Sequence, residues 1–223
     1  NLGSEWVTAT SLPDVCNVGI IRALVALAIF PWLAKALVNF FRARKVMRNF
    51  NKPDSFDTNM VVIGAGSAGL VTSYIASLVK AKVTLIEKSA MGGDCLNTGC
   101  VPSKTLLRSA SVNHLISRGE EFGLKEASAT PDFKTVMNRV HETIATIAPH
   151  DSRERYTSLG VDCVEGEATI TSPYHVKVND SVITTRNIVI ATGAKPFVPN
   201  IPGLEDVGFY TSDTVWSLEA LPK

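Results

Sequence analysis

Two cysteines and a glycine-rich turn are the residues of this sequence best suited to chemistry. Met91 to Lys104 reads MGGDCLNTGCVPSK, with Cys95 and Cys100 five positions apart. A structural zinc site would pair C-x-x-C elements. The other cysteines, Cys16 and Cys163, stand alone and far away, which argues against zinc. Two inert core thiols are a second reading, but the stretch is polar and glycine-rich rather than one face of an apolar element. A disulfide is the third. Cα atoms five apart in a regular helix are roughly 8–9 Å distant, whereas a disulfide needs about 4.4–6.8 Å. A helix running through both cysteines is therefore incompatible with pairing. Asn97 and Gly99 supply a bend between them. Cys100 then falls near the start of a helix, and that terminus and Lys104 would both favour its thiolate. Such a pair could exchange electrons with a second disulfide.

The glycine turn lies upstream. Gly64-Ala65-Gly66-Ser67-Ala68-Gly69 fits G-x-G-x-x-G. It follows an apolar run and opens a helical pattern, and Glu87 closes the next apolar run. That context distinguishes a dinucleotide-binding turn from an ordinary loop. Gly64 permits the tight turn, Gly66 lets a pyrophosphate approach, and Gly69 lets helix and strand pack closely. The helix N-terminus favours the phosphate charge. Glu87 can accept from ribose hydroxyls. The turn alone does not separate NAD from FAD.

These residues need a parallel sheet to hold them. Met60–Ile63 and Val83–Glu87 read as buried strands and Ser67–Lys80 as the helix between them, a βαβ unit with a right-handed crossover. Further helices are expected over Pro102–Ser117 and Asp132–Leu159, the latter broken or kinked at Pro149. Short β runs are expected over Val161–Ile170, His175–Val178 and Val182–Thr192, with a turn at Asn179-Asp180. Pro196–Pro202 should run extended.

Composition bounds the rest. Of the 223 residues 45% are hydrophobic and 19% charged, which argues against general disorder. The net charge of +1 argues against a nucleic-acid binder reliant on phosphate contacts. A mean hydropathy of +0.15 is high for a soluble domain. Its source is Val18–Phe41, where only Arg22 and Lys35 are charged. About 20 apolar residues span a bilayer, and Pro31 would kink such a helix without forbidding it. Arg42, Arg44, Lys45, Arg48 and Lys52 follow, and basic flanks stay in the cytoplasm. We expect a helix crossing the cell membrane with the rest of the chain facing the cytoplasm; a buried or interfacial amphipathic helix is the alternative. Glu5 and Asp14 fit a cleaved signal peptide poorly. The expected organisation is a hydrophobic helix with its basic flank over 1–50, a linker over 51–58, and a nucleotide-binding domain over 59–223.

Taken together, VVIGAGSAG, TLIEK, GGDCLNTGCVPSK and IVIATGAKP resemble the FAD-containing pyridine nucleotide–disulfide oxidoreductases, and the wording around the cysteines resembles their mercuric-reductase-like branch. The resemblance runs from about Asn59 to Lys223. It implies an α/β, Rossmann-like FAD-binding domain in which a parallel sheet is joined to a β-meander. Gly64, Gly66, Ser67, Ala68 and Gly69 would hold the FAD pyrophosphate. Glu87, with Lys88 beside it, would meet the adenosine ribose, and Gly166 and Ala168 the adenine. Gly93 and Asp94, the latter where many members carry Thr, would line the flavin side. Ala191, Thr192 and Gly193 would also touch FAD. Cys100 would face the flavin as the charge-transfer thiol, Cys95 would exchange with substrate, and Lys104 would sit near flavin N5.

The resemblance further implies an NAD(P)H-binding domain and an interface domain, both outside these 223 residues, and a homodimer. None of His114, His141, His150 or His175 matches the family's acid/base histidine. Residues 1–50 resemble the end of a DedA-type, SNARE-associated-like membrane domain. We expect an NAD(P)H-dependent flavoprotein that passes electrons through FAD and Cys95–Cys100 to a small-molecule or disulfide acceptor, mercuric ion included. Two alternatives are a membrane-anchored FAD-binding module without turnover and a fragment of a soluble dihydrolipoamide dehydrogenase.

Overall fold

The computed structural model describes residues 18–222. Cys16 and the NLGSEW and SLPDV stretches used for the membrane-domain resemblance lie outside them. The chain divides into two compact units, meeting in sequence at Lys52 and Pro53.

In the first unit, helix α1 (Val18–Met47) runs through Pro31 as one element. Its apolar side chains are spread round the axis rather than gathered on one face. They are exposed along the helix, with Phe30 and Trp32 the most so. Within α1, Ile21–Lys45 is long and apolar enough to cross a membrane. Arg44 and Lys45 close the last turn, where cations suit the helix dipole.

The second unit is an α/β fold around one six-stranded sheet. Its strands are β1 (Thr58–Ile63), β2 (Val83–Glu87), β3 (Val161–Glu165), β4 (Ala168–Ser172), β5 (His175–Val178) and β6 (Ser181–Ile190). Their order is β3-β2-β1-β6-β5-β4. The first four are parallel, and β4, β5 and β6 form an antiparallel meander. Strand β6 serves both halves. Ser181–Thr184 pair with β5, and Thr185–Ile190 run beside β1.

Alternation along β1 feeds two cores, because successive side chains leave a strand on opposite faces. Val62 packs with Leu85, Val83 and, from helix α2 (Ser67–Leu78), Leu70 and Ala76. Val61 and Ile63 pack with Ile86 and with Val176 and Val178 of the meander. Buried on both faces, β1 and β2 read as continuous apolar runs.

Most expected elements are present, β1 begins at Thr58, the last residue of the expected linker, and the larger differences are these. The Val161–Ile170 run is two strands, split where Gly166 takes φ +153°, and only β3 joins the parallel sheet. The last strand ends at Ile190, not Thr192. The expected Asp132–Leu159 helix is α5 (Phe133–Ile147), a 3-10 turn over Ala148–Asp151 carrying Pro149, and α6 (Arg153–Ser158). Asp132 caps α5 by accepting from the Lys134 N–H. Past the extended tail come a short helix, Leu204–Val207, and a 3-10 turn, Val215–Ser217. Neither carries a periodic apolar pattern.

Candidate active site

The carboxyl ends of the parallel strands converge. Hydrogen bonds continue one residue past β1, β6 and β3: Gly64 N–H to Ile86 O at 2.8 Å, Ala191 N–H to Ile63 O at 2.8 Å, and Gly166 N–H to Glu87 O at 2.9 Å. Open parallel sheets bind ligands at this edge.

The fingerprint glycines divide by what surrounds them. Gly64 has φ +101°, and a side chain there would also meet the Ala191 carbonyl. At Gly69 a Cβ would run into the Gly64 carbonyl, so α2 lies directly on the turn. Gly66 differs. Its φ of −78° is open to any residue. A Cβ there would find no atom of the protein nearer than Gly93 Cα at 3.8 Å. Packing does not demand glycine at position 66, whereas a closely approaching ligand would. Ser67 and Ala68 stand exposed beside it at the start of α2. The turn therefore fits a dinucleotide phosphate.

Glu87 ties this turn to β2. Its carboxylate accepts from the Ala65 N–H at 2.5 Å and the Ser89 N–H at 2.8 Å. A carboxylate offers about four acceptor positions, which leaves capacity for ribose hydroxyls. Lys88 points to another partner, the Glu167 carboxylate at 2.9 Å. That hydrogen bond raises the Lys88 pKa and lowers that of Glu167. Both are exposed, so the pair contributes little to stability. It brackets the corner holding Gly166 and Ala168, next to the end of β2.

The cysteines sit on two helices. Helix α3 (Gly93–Asn97) carries Asp94 and Cys95, and α4 (Cys100–Ser117) begins at Cys100. The chain breaks between them at Thr98 and Gly99, as the five-residue spacing requires of a pair that can join. Gly99 has no room for a side chain, since a Cβ would lie 2.9 Å from the Asp94 carbonyl oxygen. Asn97 braces α3 by donating to the carbonyls of Met91 at 3.0 Å and Gly93 at 2.9 Å. Both cysteines are free thiols, Cys95 half-buried and Cys100 exposed.

Fingerprint and dithiol are in contact. Gly92 N–H donates to the Ala65 carbonyl at 2.9 Å. Gly93, at φ +55°, lies so close that its Cβ would be 2.6 Å from Gly66 Cα. The thiol of Cys95 is raised above its ordinary pKa, first by the facing Cys100 thiol and then by burial, while the Ser67 hydroxyl and the Lys104 charge pull the other way. On Cys95, the lowering by Lys104 is outweighed by the Cys100 thiol and by burial. Asp94 reaches toward Gly193, whose Cβ would lie 3.9 Å from Asp94 Oδ2. Thr192 and Gly193 are exposed on the same edge, just past β6.

Residues 58–223 match the family described as pyridine nucleotide-disulphide oxidoreductase. The chain belongs to this family. Among individual members of the pyridine nucleotide–disulfide oxidoreductases, it is 33% identical over 178 residues to a mercuric reductase of Bacillus cereus, covering 78% of this chain and 28% of that protein. It is also 33% identical to a dihydrolipoyl dehydrogenase of Mycoplasma genitalium, covering 75% of this chain and 37% of the relative. In three dimensions it is similar to the HOCl-induced flavoprotein disulfide reductase RclA of Escherichia coli, with a TM-score of 0.61, 28% identity, and coverage of 74% and 35%. The chain thus spans about a third of the length of these relatives. The family description and the name of the solved structure fit a flavoprotein disulfide oxidoreductase.

Two contacts of the site carry no local sequence signal. One is Ser67 with Cys95. The other is the Trp216 indole N–H, which donates to the Thr98 carbonyl at 2.7 Å. Each joins segments far apart in sequence, and no periodicity or motif marks them.

Proposed function

We propose that this chain is the FAD-binding, dithiol-bearing part of a membrane-tethered, NAD(P)H-dependent flavoprotein reductase. The observation that carries the reading is the Gly66–Gly93 approach: the turn open to a dinucleotide and the helix bearing Cys95 touch through two residues without side chains. FAD, when bound, supplies two-electron transfer between a nicotinamide and the cysteine pair. Gly64, Gly66, Ser67, Ala68 and Gly69 hold its pyrophosphate, Glu87 its ribose, and Gly93, Asp94 and Ala191–Gly193 line the remainder. Gly166 and Ala168 border the adenine end, with Lys88 held beside them by Glu167.

In the chemistry of the chain's own residues, the Cys95–Cys100 disulfide takes up two electrons and two protons to give two thiols. Cys95, as thiolate, attacks an acceptor disulfide and forms a mixed disulfide, expelling one acceptor thiolate. Cys100 then attacks Cys95, restores the internal disulfide and releases the second acceptor thiol. Lys104 stabilises the thiolate on Cys95 electrostatically. A thiol-binding metal ion such as mercuric ion is the alternative acceptor, favoured by the mercuric reductase relatives. The nicotinamide site and the expected homodimer interface belong to further domains of the whole protein.

The test is a thiol count on the whole protein under anaerobic conditions. Adding NAD(P)H should expose two new titratable thiols, and neither Cys95→Ser nor Cys100→Ser should gain them. Equal thiol counts with and without NAD(P)H would refute the reading. Tethering is tested separately: the protein should stay in the membrane fraction after a high-salt wash, and release into the soluble fraction would refute the anchor.

A further inference from the structure

We propose that Trp216 is a positioning residue for the cysteine pair, its indole N–H holding the Thr98 carbonyl and with it the break that lets Cys95 and Cys100 face each other. The inference rests on the redox reading of that pair and adds a residue outside the motif.

The break has an unfilled acceptor at its centre. Thr98 ends α3 with φ −134° and ψ −3°, and Gly99 follows with φ −120° and ψ −101°. A helical carbonyl is normally satisfied by the N–H four residues on. For Thr98 that residue is Pro102, which has no N–H. The next carbonyl, Gly99, does find its partner, the Ser103 N–H at 3.0 Å. The Thr98 carbonyl therefore cannot be served by the backbone four residues on. Trp216, 118 positions later, serves it at 2.7 Å and shares the same N–H with the Ser212 carbonyl at 2.8 Å.

The donor is itself braced. Trp216 lies in the Val215–Ser217 turn. Thr211 N–H donates to Thr214 Oγ1 at 2.9 Å, and Val215 N–H to the Thr211 carbonyl at 3.0 Å. From inside the loop, Asn97 and the Thr98 N–H fix only the α3 side, the latter by donating to Asp94 O at 2.9 Å. The indole is the hold from outside. A loop held on both sides keeps each thiol near the other and raises its effective concentration. Without the N–H, the half-buried Thr98 carbonyl loses its partner and the turn samples open arrangements.

The experiment is a glutathione redox titration of the Cys95–Cys100 pair in the whole protein, wild type against Trp216→Phe, with Trp32→Phe as control. One hydrogen bond is worth a factor of about two to ten. The exchange constant for forming the internal disulfide should fall by that factor, or about 10–30 mV at 29.6 mV per tenfold. Trp32→Phe should match wild type. A constant for Trp216→Phe indistinguishable from wild type in a folded protein would overturn the inference while leaving the redox pair standing. No internal disulfide in the wild type would overturn both. Should Trp216→Phe fail to fold, nitrogen-15 labelling of the indoles in wild-type protein decides. The Trp216 N–H signal should move on oxidation, and should stay put under the same oxidant in Cys95→Ser. A Trp216 signal unmoved by oxidation of the wild type refutes the coupling.

Discussion

Replacing Gly66 by alanine separates a ligand's demand from the protein's own. The added methyl group points into space whose nearest protein atom is Gly93 Cα, 3.8 Å away. The backbone there, at φ −78°, needs no change. A cap position that loses glycine and an unfolded chain that loses freedom act in opposite directions, so flavin-free stability should move by less than about 1 kcal/mol. In a unit of this size that is a melting shift of roughly 2–4 °C at most. With a pyrophosphate against the turn, the same methyl group overpacks the contact, at about 1–3 kcal/mol. That range corresponds to roughly a 5- to 150-fold weaker Kd for FAD. Gly69→Ala should behave oppositely: its methyl group strikes the Gly64 carbonyl, and flavin-free stability should drop by about 1–3 kcal/mol. Calorimetric titration of FAD into flavin-free protein, paired with urea unfolding, reads both quantities. An FAD affinity for Gly66→Ala within about twofold of wild type would refute the assignment of this turn to the pyrophosphate.

Other perturbations probe the rest of the fold. Cys100→Ala removes the largest influence raising the Cys95 thiol; the pH midpoint for Cys95 alkylation by iodoacetamide should fall, with faster alkylation at a fixed, mildly alkaline pH, and an unmoved midpoint would contradict the facing of the two thiols. Asp57 accepts from the Thr184 N–H at 2.8 Å and the Thr184 hydroxyl at 2.7 Å, and the backbone bond leads in lowering its pKa. A lowered carboxyl stabilises the fold above its unfolded value of about 3.9 and loses that contribution as pH falls through the folded value. The stability gap between wild type and Asp57→Asn should therefore close in acid, as followed by urea unfolding at stepped pH.

The sequence is most legible where physics is local. The βαβ unit is readable because β1 and β2 are buried on both faces and the turn between them needs glycine for backbone reasons. The interruption between Cys95 and Cys100 follows from helix geometry once the two are read as a pair. The Val161–Ile170 run misleads because its residues suit a strand throughout, and only the backbone of Gly166 turns the chain from the parallel sheet into the meander. The partner of Lys88, Glu167 across the corner, is likewise not legible from the residues next to Lys88 in sequence. The hold on Thr98 is hidden for a deeper reason. Pro102 shows that an acceptor goes unserved by its own helix, but nothing near it in sequence names the donor.

Strand β6, shared between meander and parallel sheet, imposes an order on synthesis. Thr58 of β1 pairs beside Thr185, and Ile63 beside Ile190. One edge of β1 can be covered as soon as β2 emerges from the ribosome, but the other stays open until the chain has been made to about residue 190. From Ile63 to Ile190, at about 5–20 residues per second, that interval is roughly 6–25 s. Throughout it an apolar strand, Met60-Val61-Val62-Ile63, presents an unpaired edge of the kind that recruits foreign strands. The local meander needs only Ala168–Ile190 and can form as a hairpin series as those residues appear. The last strand to arrive then brings that preassembled meander across β1, so protection of the nucleotide-binding turn on the nascent chain is a late event set by the position of β6.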